Sequence, residues 1–241
     1  MSNMAEISQL TEMSVQLPVD WYLDSKILEI EKHILFDQGP GYVGHELMVP
    51  TVGDYYVPEG MNNAKVLVRN ENGIELLSNV CRHRQALLLK GRSNTKNIVC
   101  PIHRWTYALD GKLLGAPHFT QNPCLNLDKT PLQNWNGLLF NGRRKVAEDM
   151  AKLSVLKDFD FSNYVLDRIQ VDQYRCNWKT FIEVYLEDYH VEPYHPGLSR
   201  FVNTEKLEWE FGDWYSVQTV AIDNTRFGRP GSSVYAKWRS E

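Results

Sequence analysis

Four cysteines in 241 residues are too few for a disulfide framework, which makes the cytoplasm the expected compartment. Positive charge is not in excess either: 26 Lys and Arg stand against 30 Asp and Glu, a net −4. The basic residues gather only into short pairs such as Arg143-Arg144, so neither nucleic acid nor an anionic membrane surface is an expected partner. No apolar run approaches the ~18–20 residues needed to span a bilayer. The opening MSNMAEISQLTEMSVQLPVDW lacks a basic segment followed by an apolar one, so no secretory signal is expected. Internal repeats and low-complexity tracts are also missing from the sequence. What remains, 43% hydrophobic, 23% charged and 12% aromatic, is the composition of a globular protein with one large domain or two modest ones.

Along the chain, DSKILEIEKHILF (24–36) places Ile27, Ile30 and Ile34 near helical spacing behind a possible cap at Asp24 or Ser25, which predicts an amphipathic helix. From Gly39 the texture changes to short apolar runs broken by turns. KVLVRNENGIELLSNV predicts a hairpin turning near Asn72-Gly73, and WTYALDGKLLG another around Asp110-Gly111, since such dipeptides favour tight turns. The all-β texture ends near GLLFNGRR (137–144), and a polar helical connection, KVAEDMAKLSVLKDFDF, follows. YVLDRIQVDQYR then reads as strand. NWKTFIEVYLEDYH (177–190) repeats Phe181, Val184, Tyr185 and Tyr189 at helical spacing, with Pro193 and Pro196 to stop the helix. KLEWEFGDWYSVQTVAID reads as one or two strands.

Chemistry concentrates in CRHRQALLLKGRSNTKNIVCPIHRW (81–105). Cys81 and His83 are separated by one residue, Cys100 and His103 by two, and sixteen residues lie between the pairs. Two thiolates and two imidazoles can bind tetrahedral zinc, or hold a [2Fe–2S] cluster with both cysteines on one iron and both histidines on the other. Mixed Cys/His pairs on hairpin-like loops, a C-x-H tighter than a zinc knuckle, and the downstream Trp105-x-Tyr107 favour the cluster. Zinc and coincidence remain the alternatives. A second constellation lies at 177–195, where His190 and His195 are five apart and Glu187 precedes His190 by three. On a continuous helix Glu183, Glu187 and His190 share one face. Two imidazoles with a carboxylate from elsewhere form a facial triad on non-haem Fe(II), with positions open for O₂ and substrate. Taken alone, the pair reads as a helix-end histidine and an unrelated loop histidine; its pairing with the upstream Cys/His loops favours iron. Cys124 and Cys176 read as small core residues rather than ligands, and Trp209, Trp214 and Tyr215 as core aromatics, with pocket wall the alternative.

The patterns C-x-H and C-P-x-H-x-W-x-Y resemble the Rieske family. With VGHEL…P…GDY (43–55) and NWK…E…ExxHxxxxH (177–195), the chain resembles, over essentially its whole length, the α subunit of Rieske non-haem iron oxygenases of the aromatic-ring-hydroxylating type. Rieske proteins of respiratory and photosynthetic complexes carry an extra cysteine in each loop, where this chain has Ala86 and Ile102. Many oxygenases have Gly where it has Gln85 and Arg104.

The resemblance implies an α+β fold class: an all-β Rieske domain of small antiparallel sheets (39–150), after an N-terminal helical segment (1–38), followed by the first part of a helix-grip-like catalytic domain (151–241). It implies Cys81, His83, Cys100 and His103 as [2Fe–2S] ligands, and His190 and His195 as ligands of a mononuclear Fe(II), with Asn177 and Trp178 in the surrounding shell. It further implies that Glu187, where most of the family has Asp, bridges His103 of one subunit to His190 of the next in a homotrimer. Some members with Glu there resemble oxygenases of quaternary amines. The implied activity is electron relay from NAD(P)H, through a separate reductase or ferredoxin, to iron that activates O₂ and hydroxylates or oxidatively demethylates an organic substrate. The third iron ligand of the family is an Asp far downstream. Only 46 residues follow His195, and Asp213 and Asp223 lie in no matching context, so a C-terminally truncated α subunit is expected. The alternative is a non-catalytic Rieske electron-transfer protein, which has no need of the 177–195 motif.

Overall fold

The computed structural model describes residues 17–156, 159–198 and 202–222; Asp223 and the SSVYAKWRSE end lie outside them. The chain forms two compact units. One is Lys32–Asp172, and the other joins Met1–Glu31 with Gln173–Glu241. Two short N-terminal helices, α1 (Asp20–Leu23) and α2 (Ser25–Glu31), belong to the second unit, and a π-helical turn, Lys32–Phe36, opens the first.

The Lys32–Asp172 unit is built from small antiparallel sheets, as its short apolar runs predict. A five-stranded sheet has β3 (Lys65–Asn70) at its centre. On one side of it lie β2 (Asp54–Tyr56) and the edge strand β5 (Arg92–Asn94), on the other β4 (Gly73–Ser78) and β9 (Lys129–Thr130). A three-stranded sheet is formed by β6 (Ile98–Val99), β7 (Thr106–Tyr107) and β8 (Leu113–Gly115). A second one joins β1 (Gly41–His45) through β11 (Leu138–Asn141) to β10 (Gln133–Trp135).

Val66, Leu67 and Val68 form an uninterrupted apolar run in β3, and all three are fully buried. Side chains alternate across a strand, so such a run requires cover on both faces. Val66, Val68 and Leu77 pack with Ile98, Tyr107 and Leu113. Leu67 and Leu76 pack with Val43, Val49 and Leu139. The first of these cores also contains Cys81, Cys100 and Trp105, so burial of ordinary apolar surface fixes the cysteine-bearing loops.

Both predicted hairpins form. The first turns at Glu71-Asn72, one residue earlier than expected: Asn70 pairs with Gly73, and the Asn70 side chain accepts the Asn72 N–H at 2.8 Å. The side-chain acceptor fixes the register there. In the second, Gly111 has φ +85°, and Ala108 N–H donates to the Lys112 carbonyl at 2.8 Å. The polar connection after β11 is helical only over α3 (Val146–Asp149), which Arg144 anchors through an ion pair to Asp149 at 2.5 Å.

The chain outside the small sheets departs more from expectation. The N-terminal helix is regular only to Glu31, and of the predicted apolar stripe Ile27 is half-buried while Ile30 is 53% and Ile34 55% exposed. The buried residue is Glu31, whose carboxylate meets Lys179 Nζ at 2.6 Å and accepts from Trp178 Nε1 at 2.9 Å. An ion pair, rather than an apolar face, anchors this helix. YVLDRIQVDQYR forms no strand, because no described residue pairs with it; Val165, Val171 and Tyr174 are exposed. The 177–190 helix is α4 (Trp178–Tyr185), capped by the Asn177 side chain accepting from Lys179 N–H at 3.0 Å. It ends at Leu186, and a separate turn of helix, α5 (Val191–Tyr194), follows. Pro193 does not break α5, since in a first helical turn its missing N–H would have no partner. The tail folds as a hairpin of β12 (Val202–Phe211) and β13 (Ser216–Ile222). Trp214 is exposed in its turn, and Cys124 and Cys176 are exposed as well; none of the three is a core residue.

Candidate metal centres

Two loops of one construction carry the Cys/His pairs. Cys81 N–H donates to the Ala86 carbonyl at 2.8 Å, and the Cys81 carbonyl accepts from Gln85 N–H at 3.0 Å. Likewise Cys100 N–H donates to Trp105 at 2.8 Å, and its carbonyl accepts from Arg104 N–H at 3.1 Å. The fourth residue beyond each cysteine is left-handed, Gln85 at φ 58° and Arg104 at φ 61°. These are the positions where the resemblance has glycine. The backbone takes the conformation glycine favours without it, at roughly 1–2 kcal/mol per non-glycine residue, and the paired loop hydrogen bonds hold it there. β6 and β7 enclose the second loop. The first is closed by a bridge between Val80 and Leu87 and by Asn79, fully buried, whose side chain donates to the Asn63 and Leu89 carbonyls and accepts from Leu89 N–H, each at 2.9 Å.

The loops converge. The His83 and His103 rings lie 4.7 Å apart, and His83 stacks on Trp105 at 4.9 Å with 4° between the planes. Cys81 and Cys100 are buried and free. The Tyr107 hydroxyl lies 3.4 Å from Cys81 Sγ and accepts from Arg82 N–H at 3.1 Å. Burial, then the contact with Cys81, push that hydroxyl far above its usual range, so it can only donate to a thiolate. Desolvation, then the neighbouring His103 and Arg84, hold His83 below its ordinary value and keep it in the neutral, ligand-competent form. Its Nδ1 is sealed from solvent without a hydrogen-bond partner, which buried polar atoms seldom tolerate and a metal ligand explains. Among the described residues no three His, Cys, Asp or Glu groups converge on one ion. A [2Fe–2S] cluster takes one pair of ligands at each iron, and here two buried thiols stand with two imidazoles whose rings lie 4.7 Å apart. The donor set fits the cluster better.

His190 and His195 bracket α5, with His195 N–H donating to the Val191 carbonyl at 2.8 Å and the two rings 5.3 Å apart. Glu187 does not reach His190 along a helical face, because α4 has already ended. The turn brings them together: Glu187 Oε2 accepts His190 N–H at 3.2 Å, and Oε1 pairs with Nδ1. A carboxylate accepting from Nδ1–H leaves Nε2 free to bind a metal. Glu183, expected on the same face, instead accepts the Tyr22 hydroxyl. Asn177 donates to the Tyr22 carbonyl at 3.0 Å and Trp178 to Glu31, so both tie the start of α4 to the N-terminal helices. No third ligand joins the pair among the described residues; Asp213 is exposed in the β12–β13 turn. The histidines, Glu187 and Asp188 line a cavity of about 930 Å³ walled mainly by Tyr174, Phe181, Tyr185 and Tyr194. Glu31, Asn79 and Lys179 gave no sequence signal of their role, since each acts on chain distant from itself or on backbone.

Residues 42–135 match the Rieske [2Fe-2S] domain, and residues 155–239 match the catalytic domain of the ring hydroxylating alpha subunit. Over 99% of its length the chain is 58% identical to putrescine 2-hydroxylase of Ralstonia nicotianae, of which it covers 65%. It is 47% identical to putrescine 2-hydroxylase of Bordetella bronchiseptica, of which it covers 59%. The carnitine monooxygenase oxygenase subunit of Escherichia coli is 29% identical over 82% of this chain and 57% of that protein. The chain thus spans under two thirds of the length of these curated relatives. In fold it matches a quaternary ammonium Rieske monooxygenase at a TM-score of 0.72 and 23% identity, over 87% of this chain and 62% of that one. No helix of the described residues is long and apolar enough to cross a membrane.

Proposed function

The chain belongs to the Rieske non-haem iron oxygenase α subunits, and from that premise we propose that it is the oxygenase component that hydroxylates or oxidatively demethylates an aliphatic amine cation. The observation that carries this reading is the presence on one chain of two matched Cys/His loops and a histidine pair whose first member is held at Nδ1 by Glu187. The named substrates of the relatives, putrescine and carnitine, support an amine over an aromatic ring. A Rieske domain over 39–150 and catalytic chain over 151–241 accord with the family matches at 42–135 and 155–239.

Cys81 and Cys100 would hold one iron of the cluster and His83 and His103 the other, while His190 and His195 would hold the mononuclear iron. When bound, these groups supply one-electron transfer and O₂ activation. The Tyr107 hydroxyl, 3.4 Å from Cys81 Sγ, stabilises thiolate charge there. Glu187 fixes the His190 tautomer and holds the Nδ1 proton. Its Oε2, which takes one backbone N–H, keeps lone pairs for a second imidazole, as bridging between protomers of a homotrimer requires. Tyr174, Phe181, Tyr185 and Tyr194 present aromatic surface to the cavity beside the two histidines. The remaining partners are a reductase or ferredoxin fed by NAD(P)H, together with O₂, and the free cysteines accord with a cytoplasmic location.

A non-catalytic electron carrier is favoured by one observation, the lack of a third carboxylate at His190 and His195 among the described residues. The two readings separate in oxygen uptake with a reductase and NAD(P)H. Uptake that rises with putrescine or carnitine and yields hydroxylated or demethylated product supports the oxygenase. A reducible cluster with no amine-dependent product, at any amine concentration, contradicts it.

A further inference from the structure

We propose that Asp188 is the residue that receives the substrate's ammonium group, an assignment that rests on the amine reading above. Two carboxylates line the cavity beside the histidines, Glu187 and Asp188. Glu187 is committed, with both its oxygens directed to His190. Asp188 is not: its Oδ2 is sealed from solvent and accepts no hydrogen bond, and no described side chain pairs with it. No Lys or Arg lines the cavity among the described residues, so the charge has no protein counter-ion there.

A carboxylate oxygen sealed from water and left without a donor, as Asp188 Oδ2 is, is costly, and is retained where something else supplies the compensating donor. The chemistry of the walls narrows what that is. Phe181 sits 6.5 Å from Tyr174 and 5.1 Å from Tyr185, centroid to centroid, and Tyr194 completes an aromatic lining whose ring faces attract cations and repel anions. One acid within an aromatic cavity selects a compact organic cation: the ring faces take the alkyl and ammonium surface, and the carboxylate takes N–H donors in a charge-assisted bond. A primary ammonium offers three such donors, a quaternary one none. Asp188 therefore favours a primary amine over a fully methylated one, which is a specificity the histidines and Glu187 do not supply.

The test is calorimetric titration of the metal-loaded protein, wild type and Asp188→Asn, with putrescine and with 1,4-butanediol, its neutral analogue of equal length. The expected result is that the wild type binds putrescine and not the diol. Asp188→Asn should weaken putrescine binding by about tenfold or more, the scale of one charge-assisted bond, with the Rieske absorption unchanged. Equal putrescine affinity in Asp188→Asn overturns the assignment and leaves the amine reading standing. Failure of the wild type to prefer putrescine over the diol overturns both. Should Asp188→Asn not fold, a wild-type crystal with putrescine decides: an ammonium nitrogen within hydrogen-bond distance of the Asp188 carboxylate supports the assignment, and one bound elsewhere overturns it.

Discussion

Around Cys81 and Cys100 nearly every contact is short in sequence or sealed in a core: matched loop hydrogen bonds, a stacked Trp105, and strands buried on both faces. Around His190 and His195 the neighbours stand at the surface, with Tyr189 80% and Tyr194 77% exposed, and the supporting helix is tied down by an ion pair between residues 148 apart. The first centre is self-supporting. The second depends on distant chain, and no third ligand for it lies among the described residues. The contrast is between four Cys/His side chains held within a single folded unit and a histidine pair held by chain distant in sequence.

Removing one ligand should break the contrast most severely. Cys100→Ser is expected to abolish the cluster, with visible absorption and acid-labile sulfide falling to background. Because Cys100 lies in the core with Trp105 and Tyr107, the melting temperature should fall as well. Retention of sulfide in that variant would count against Cys100 as a ligand.

A smaller effect is expected at the second unit's anchor. Lys179→Met leaves the buried Glu31 carboxylate without its cation, which destabilises far more than removing both partners. The melting temperature should drop by several degrees and recover in part with Glu31→Gln added. Lys179 first, and Trp178 after desolvation, hold the Glu31 carboxyl below its ordinary range. The pair's contribution is therefore fully present above the unfolded value of roughly 4.3 and is lost as pH falls through the lower folded value. Accordingly, Glu31→Gln should flatten the acid limb of melting temperature against pH. An unaltered limb would show that this ion pair does not anchor α2.

The smallest effect belongs to the loop strain. At φ 58°, Gln85→Gly should be neutral or slightly stabilising, whereas Gln85→Val should be less stable than Gln85→Gly by about 1 kcal/mol or more. Chemical denaturation of the two variants measures the difference, and equal stabilities would remove the argument for strain at this loop.

The same contrast explains what was legible in the sequence. Cys81, His83, Cys100 and His103 sit in loops whose geometry is written in local spacing and turn residues, so the loops and the small sheets around them could be read. The helix at 177–190 misled because Phe181, Val184, Tyr185 and Tyr189 have helical spacing, yet the chain breaks after Tyr185 and uses Glu187 to hold the following turn. Periodicity could not reveal that Ile30 and Ile34 face outward while Glu31 is buried, because Lys179, which makes burial of Glu31 favourable, is remote in sequence. Asp188 was visible only as a neighbour of Glu187. Its significance comes from the cavity and from the bond it lacks.

The central claim, that the four Cys/His residues hold a [2Fe–2S] cluster, is tested most directly by iron and acid-labile sulfide per chain on anaerobically purified protein, with an EPR spectrum after reduction. The account predicts two sulfides with at least two irons per chain and a Rieske-type signal. A colourless protein carrying stoichiometric zinc and no sulfide would contradict it.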